Sequence, residues 1–211
     1  MPLRTGRATV LLVVLAVAHA AGCSSTTRGE KMVQGYARTR ETVGEAQRQV
    51  DITLYSLSSM RTTRPEGLPD AFKRYKEAVA GLEEEGKDAK KRAVAMQGQA
   101  ETHIKAWEAE METFKDPTVK ASLESRRQAV RSNFKLIRMY ADDARKAYGP
   151  CLQGNQELVR ALSIDLSPAA VSGLAPAMDK VAADSQALQE RLAAVQRALG
   201  NIANGVSPIG I

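Results

Sequence analysis

Four long segments of this chain place apolar or small residues in alternating steps of three and four, and that spacing restricts the fold more than any other feature. Side chains recurring every 3.5 positions stay on one face of an α-helix and mark the seam of a coiled coil. The first seam runs Val33, Tyr36, Arg40, Val43, Gln47, Val50, Leu54, Leu57. The second runs Phe72, Tyr75, Val79, Leu82, Gly86, Ala89, Ala93, Met96, Ala100, His103, Trp107, then Met111 and Phe114. The third takes Val119, Leu123, Val130, Phe134, Ile137, Ala141, Ala144, Tyr148 and Leu152 toward Val159 and Leu162. The fourth takes Val171, Leu174, Met178, Val181, Ser185, Leu188, Leu192, Val195, Leu199. The two-residue alternation of a strand is visible nowhere, so the chain reads as all-α.

The breaks between segments are chemically explicit. Thr62 to Pro69 holds two prolines and a glycine and reads as a turn. Asp116-Pro117 and Ser167-Pro168 are helix starts: a capping oxygen precedes a proline whose missing amide costs nothing at the first helical position. Gly149-Pro150 predicts a kink in the third helix, and Pro176 a bend in the fourth or a short piece split from its start. Gly200-Asn201 ends the last seam, leaving residues 200–211 as a disordered tail.

Only 4% of residues are aromatic, a composition suited to long helices in close contact. At ~1.5 Å per residue the second and third helices would run about 70 Å, and the first and fourth nearer 45–50 Å. Short connections imply an elongated antiparallel four-helix coiled-coil bundle over residues 32–199. The longer central pair would project as a helical hairpin, its turn around Asp116 carrying Trp107, Phe114 and Leu123. Gly86, Ala89, Ala93 and Ala100 on the second seam imply either a very close partner helix or a loosely packed stretch.

The N-terminus carries an address. Arg4 and Arg7 precede an 11-residue run from Ala8 to Ala18, and Ala21-Gly22-Cys23 follows. That run is too short to cross a bilayer, which takes roughly 20 apolar residues. It reads as a lipoprotein signal peptide over residues 1–22, with Cys23 acylated and residues 23–31 as a tether. Ala18-His19-Ala20 offers a second cut site, which would release a soluble periplasmic protein. Ser24 after the cysteine implies the periplasmic side of the outer membrane. Cleavage before Cys23 leaves 189 residues and lowers the net charge from +6 to +4, a balance that does not favour nucleic acid.

Trp107-Glu108-Ala109-Glu110-Met111, the basic Ser125-Arg126-Arg127 and the run Ala144-Arg145-Lys146-Ala147-Tyr148-Gly149-Pro150-Cys151-Leu152 resemble a proteobacterial lipoprotein family known as domain of unknown function 2959. Leu158 to Val171 occupies the place of that family's leucine-rich segment. The resemblance implies a helical exported domain over most of residues 32–199, and no activity.

No catalytic, metal or cofactor site is legible. His103 is the one histidine after the signal segment, stands on a seam and lacks a Glu-x-x-His partner. Cys151 has no second cysteine to pair with once Cys23 is modified, and beside Pro150 it reads as a small buried apolar residue. The charges near the Asp116 turn say more. Residues 99–116 carry five acids against two lysines, and residues 117–138 carry six bases, Lys120 and Arg126, Arg127, Arg131, Lys135 and Arg138, against Glu124. These either pair across the two helices or leave Arg126, Arg127, Arg131, Lys135 and Arg138 as a surface for lipid head groups, an anionic envelope polymer or an acidic protein partner. The expected function is a non-enzymatic envelope scaffold or adaptor held to the membrane through Cys23. A periplasmic holdase or lipid carrier, and a self-assembling homo-oligomer, are the alternatives.

Overall fold

The computed structural model describes residues 23–206, with side chains described over 31–201. The signal segment and the last five residues lie outside the described part. The fold is all-α. Helix α1 spans Cys23–Thr62, and a 3-10 turn at Pro65–Gly67 leads into α2, Leu68–Met111. Helix α3 is Pro117–Ile164, α4 is the short Pro168–Gly173, and α5 is Ala175–Val206. Helix α1 packs on α2 and α5, and α3 packs on the same two. Residue numbers fall on one neighbour as they rise on the other: Gln49 meets Ala78 and Gly35 meets Gln99, while Cys151 meets Ser185 and Gly154 meets Val181.

The helix starts follow the expected chemistry. Asp116 Oδ1 accepts from the amides of Thr118 at 2.7 Å and Val119 at 3.2 Å, and Ser167 Oγ accepts from Ala170 N at 3.2 Å. Such caps stabilise by about 1 kcal/mol each. Pro176 falls just inside α5, and the fourth segment is split there, with α4 as the detached piece. Helix α3 runs unbroken through Pro150, which is exposed, so the carbonyl left without a donor one turn back faces solvent.

Two boundaries differ from expectation. Residues 23–31 belong to α1 rather than to a tether. Ser and Thr disfavour a helix interior by only about half a kilocalorie each, and no proline stops α1 from propagating backward. As a result α1 has 40 residues against 44 in α2, and it does not fall short as its seam suggested. Gly200-Asn201 does not end α5 either, which continues to Val206. An interior glycine costs about 1 kcal/mol, and Ala198 and Leu199 are already locked in the core.

The core runs along the seams. In α3 the row spaced by seven residues, Val130, Ile137, Ala144, Cys151, Leu158, is buried, with Cys151 and Leu158 in place of the expected Leu152 and Val159, and in α5 Met178, Val181, Ser185, Leu188, Leu192, Val195 and Leu199 are buried. In α1 the buried rows are Tyr36, Val43, Val50, Leu57 and, three residues on from each, Thr39, Ala46, Thr53, Met60. The row expected at Arg40, Gln47 and Leu54 is therefore displaced by one position. Thr39 and Thr53 tolerate burial because each hydroxyl donates to a carbonyl one turn back, Gly35 and Gln49 respectively, at 2.8 Å.

A polar layer crosses the bundle. Tyr75 Oη of α2 donates to Asn155 Oδ1 of α3 at 2.8 Å, and Asn155 Nδ2 donates to the Cys151 carbonyl at 2.8 Å. Cys151 Sγ lies 3.3 Å from Ser185 Oγ of α5. On the other side Gln49 Nε2 donates to the Ala78 carbonyl at 2.8 Å, which the Thr53 hydroxyl also approaches, at 3.2 Å. Tyr36 offers the contrast, a phenol 1% exposed whose oxygen has no partner among the described residues. Tyr75→Phe should therefore lower the unfolding free energy by about 1–3 kcal/mol, because it strands the buried Asn155 amide oxygen. Tyr36→Phe should leave stability unchanged or raise it slightly, and urea titration of the two variants checks the difference.

Candidate functional site: a cavity between the second and third helices

Helices α2 and α3 pack least closely of the four long neighbouring pairs. The cause lies in the side chains. Between Leu82 and Met96 the inward face of α2 offers only Gly86, Ala89 and Ala93, none of them fully buried. Opposite stand Ile137, Ala141 and Ala144 of α3. Small residues on both helices leave a cavity of about 340 Å³. At Ala89 and Ala93 loose packing is the reading that holds, whereas Gly86 receives the Tyr148 ring closely and Ala100 is fully buried.

The cavity has defined walls. Val43, Ala46 and Val50 of α1 and Leu188, Leu192 and Val195 of α5 form its floor. Tyr148 closes one end. A Cβ on Gly86 would lie 2.2 Å from the Tyr148 hydroxyl and 2.3 Å from Cζ, so the glycine is what lets the ring seat across α2. The Tyr148 hydroxyl lies 3.4 Å from the carbonyls of both Leu82 and Glu83. Met96 and Phe134 bound the other end, where Phe134 packs on Tyr36 with ring centroids 6.3 Å apart. The mouth carries Lys90, Val94 and Gln97 on α2, and Arg138, Asp142 and Arg145 on α3. Val94 is 65% exposed there, a large apolar side chain facing solvent beside an apolar interior.

The basic face of α3 divides. Arg127 is only 16% exposed and pairs with Glu108 across the helix gap and with Glu124 at 2.7 Å on its own helix. Its hydrogen bond holds the Glu124 carboxyl below the usual carboxylate range. Arg131 reaches the same Glu108 at 3.3 Å, and Lys120 reaches Glu112 at 3.3 Å. Arg127 and Arg131 are thus engaged in the pairing of α2 with α3. Arg126 and Lys135 are exposed, and Arg138 stands at the cavity mouth. The five residues do not form one continuous free surface.

His103 packs edge-on against Trp107, centroids 5.8 Å apart. Cys151 is fully buried, and burial pushes its thiol up, away from the reactive thiolate. Among the described residues there is no cluster of metal-ligating side chains and no helix long and apolar enough to cross a membrane.

A family model described as a protein of unknown function (DUF2959) matches residues 22–204. The chain belongs to the DUF2959 family. No curated protein and no solved structure matches it. The DUF2959 match takes in all the helices described above but for the last two residues of α5, so the seams, the polar layer and the cavity all lie within the family domain. The cavity is the feature that sequence reading did not assign, although Gly86, Ala89 and Ala93 were its signal.

Three phenols report on this packing. Burial pushes Tyr36 and Tyr148 up from 10 to about 12, with the Glu83 charge adding to the rise at Tyr148, and it raises Tyr75 as well. The unfolded chain then loses these protons first. Their contribution to stability is complete below pH 10 and disappears as pH rises through about 12. The denaturation midpoint of this DUF2959 protein should fall across that window, and Tyr36→Phe should make the fall shallower.

Proposed function

We propose that this DUF2959 protein is a non-catalytic carrier of the cell envelope, anchored by acylated Cys23 to the periplasmic side of the outer membrane, that holds an apolar guest between α2 and α3. The single observation that carries the reading is the cavity: about 340 Å³, walled by aliphatic side chains and open at a mouth between two helices. Ligand pockets run roughly 300–1,000 Å³ and are lined mostly by apolar groups, with a few polar ones to orient the guest. Each methylene moved from water into such a site contributes about 0.8 kcal/mol.

We read the architecture that supports this as an elongated antiparallel four-helix coiled coil in which the α2–α3 hairpin reaches past the end of α5. Thr39 and Val50, the first and last α1 residues lining the cavity, stand 16 and 27 residues after Cys23, or roughly 24 and 40 Å along the helix. An acyl anchor of two or three chains at Cys23 holds far more firmly than one chain, which binds only marginally. The long helices would then hold the cavity at a set height above the membrane, which gives the expected scaffold role a purpose without a second binding surface.

Two experiments test the two halves of the proposal. Purified full-length Cys23→Ser protein should bind a neutral naphthylamine dye saturably, near one per chain, and Ala93→Phe should abolish that binding while keeping the helical circular dichroism. A signal that never saturates would remove the carrier reading. In cells, Cys23→Ser should move the protein from the membrane to the soluble fraction with an unchanged melting temperature, and an undiminished membrane fraction would end the anchor reading.

A further inference from the structure

Resting on the cavity as a binding site, we infer that its guest is a single-chain amphiphile with an anionic head group. The shape of the cavity sets the tail. Its lining spans Leu82 to Gln97 on α2 and Phe134 to Tyr148 on α3, about 22 and 21 Å of helix. The hydrocarbon core of a bilayer is ~30 Å thick, so one leaflet's acyl chain extends roughly 15 Å. One such chain lies lengthwise between the helices, with Tyr148 and Phe134 closing the two ends. A volume of about 340 Å³ is near the lower bound of ordinary ligand sites, enough for one extended chain or one small apolar molecule.

The mouth sets the head group. Lys90 stands on the α2 bank, and Arg138 and Arg145 stand on the α3 bank. The one carboxylate at the mouth, Asp142, lies 3.7 Å from Arg145. Three cations against one anion leave the mouth at +2, and Lys90 and Arg138 have no ion-pair partner among the described residues. The carboxylates of α2 that answer the basic face of α3, Glu108 and Glu112, are spent on Arg127, Arg131 and Lys120 below the cavity. Cations on both banks around an apolar slot match a carboxylate or phosphate head whose tail enters between the helices. An arginine such as Arg138 presents a planar fork suited to either oxyanion.

Competition against the bound dye separates this inference from the carrier reading on which it rests. The competitors are dodecanoate, dodecanol and dodecylamine, all below their aggregation concentrations and added to full-length Cys23→Ser protein at low ionic strength. Dodecanoate should displace the dye at a concentration about 10-fold lower than dodecanol, and dodecylamine should be the weakest. The gap should shrink in high salt, because the mouth is exposed. The double variant K90A/R138A, with each competitor scaled to that variant's own dye affinity, should bring dodecanoate and dodecanol within about 2-fold of each other. If dodecanol matches dodecanoate on the unaltered mouth, or dodecylamine binds best, the head-group inference is overturned and the carrier reading stands. If the dye itself does not bind saturably, both fall. Dodecyl phosphate displacing the dye at a lower concentration than dodecanoate would support the same oxyanion site and assign it to a phosphate head, and the reverse order would assign it to a carboxylate.

Discussion

The hydrogen bond from Tyr75 to Asn155 sets the register on which the rest of the structure depends. Alanine-rich seams are nearly degenerate, since a helix displaced by one heptad meets a very similar row of small side chains. A buried amide removes that degeneracy. Asn155 is fully buried, and its oxygen is satisfied only if Tyr75 of α2 arrives opposite it. The Cys151–Ser185 contact repeats the constraint between α3 and α5, and Gln49 with Thr53 repeats it between α1 and α2. Each misaligned alternative leaves at least one polar group buried without a partner, at a cost of about 1–3 kcal/mol.

With the register fixed, side-chain volume decides where the helices touch. Around the polar layer Leu57, Met60, Leu68, Leu158, Leu162 and Met178 fill the core and draw the helices together. About three turns along α2 from Tyr75, Gly86 meets Tyr148, and beyond it the inward face of α2 offers nothing larger than alanine until Met96. Rigid helices cannot bend to follow a local shortage of volume, because both ends are pinned by well-packed contacts. The shortage therefore persists as a cavity instead of collapsing. The polar layer and the cavity are thus linked: one makes a single alignment mandatory, and that alignment sets small residues of α2 against small residues of α3.

Much of this was legible in the sequence, for identifiable reasons. The seam of α5 and the Val130 to Ala144 row of α3 were readable because apolar residues recur at the right steps, whereas past Pro150 the buried row is Cys151 and Leu158 instead of Leu152 and Val159; the caps at Asp116 and Ser167 were readable because an oxygen-bearing residue precedes proline. The second row of α1 was not, because Thr39 and Thr53 look polar yet satisfy themselves within their own helix. Asn155 was not legible because its partner, Tyr75, is one that only the fold supplies, whereas Ser185, expected on its seam, donates to the Val181 carbonyl of its own helix. Cavity and close approach leave the same sequence trace, a run of small residues. Which one results depends on the facing helix, and spacing within one helix carries no information about its neighbour's volume.

The charges of α3 show how pairing redistributes a basic face. Six bases between Pro117 and Arg138 would make a diffuse cationic face if left alone. Glu108 and Glu112 reach across from α2 and claim Lys120, Arg127 and Arg131, closing the lower part of the gap with ion pairs where apolar volume is scarce. Such pairs are worth little when exposed, but Arg127 is largely covered and shared between two carboxylates, so here they bridge the helices in one alignment. Above that level α2 places Lys90 at the mouth of the gap instead of an acid, and the bases of α3 there, Arg138 and Arg145, have only Asp142 between them. Part of the charge that remains unanswered thereby stands where the apolar interior opens to solvent. A helix pair that is zipped by charge below and held apart by small side chains above has both a fixed seam and a receptive mouth.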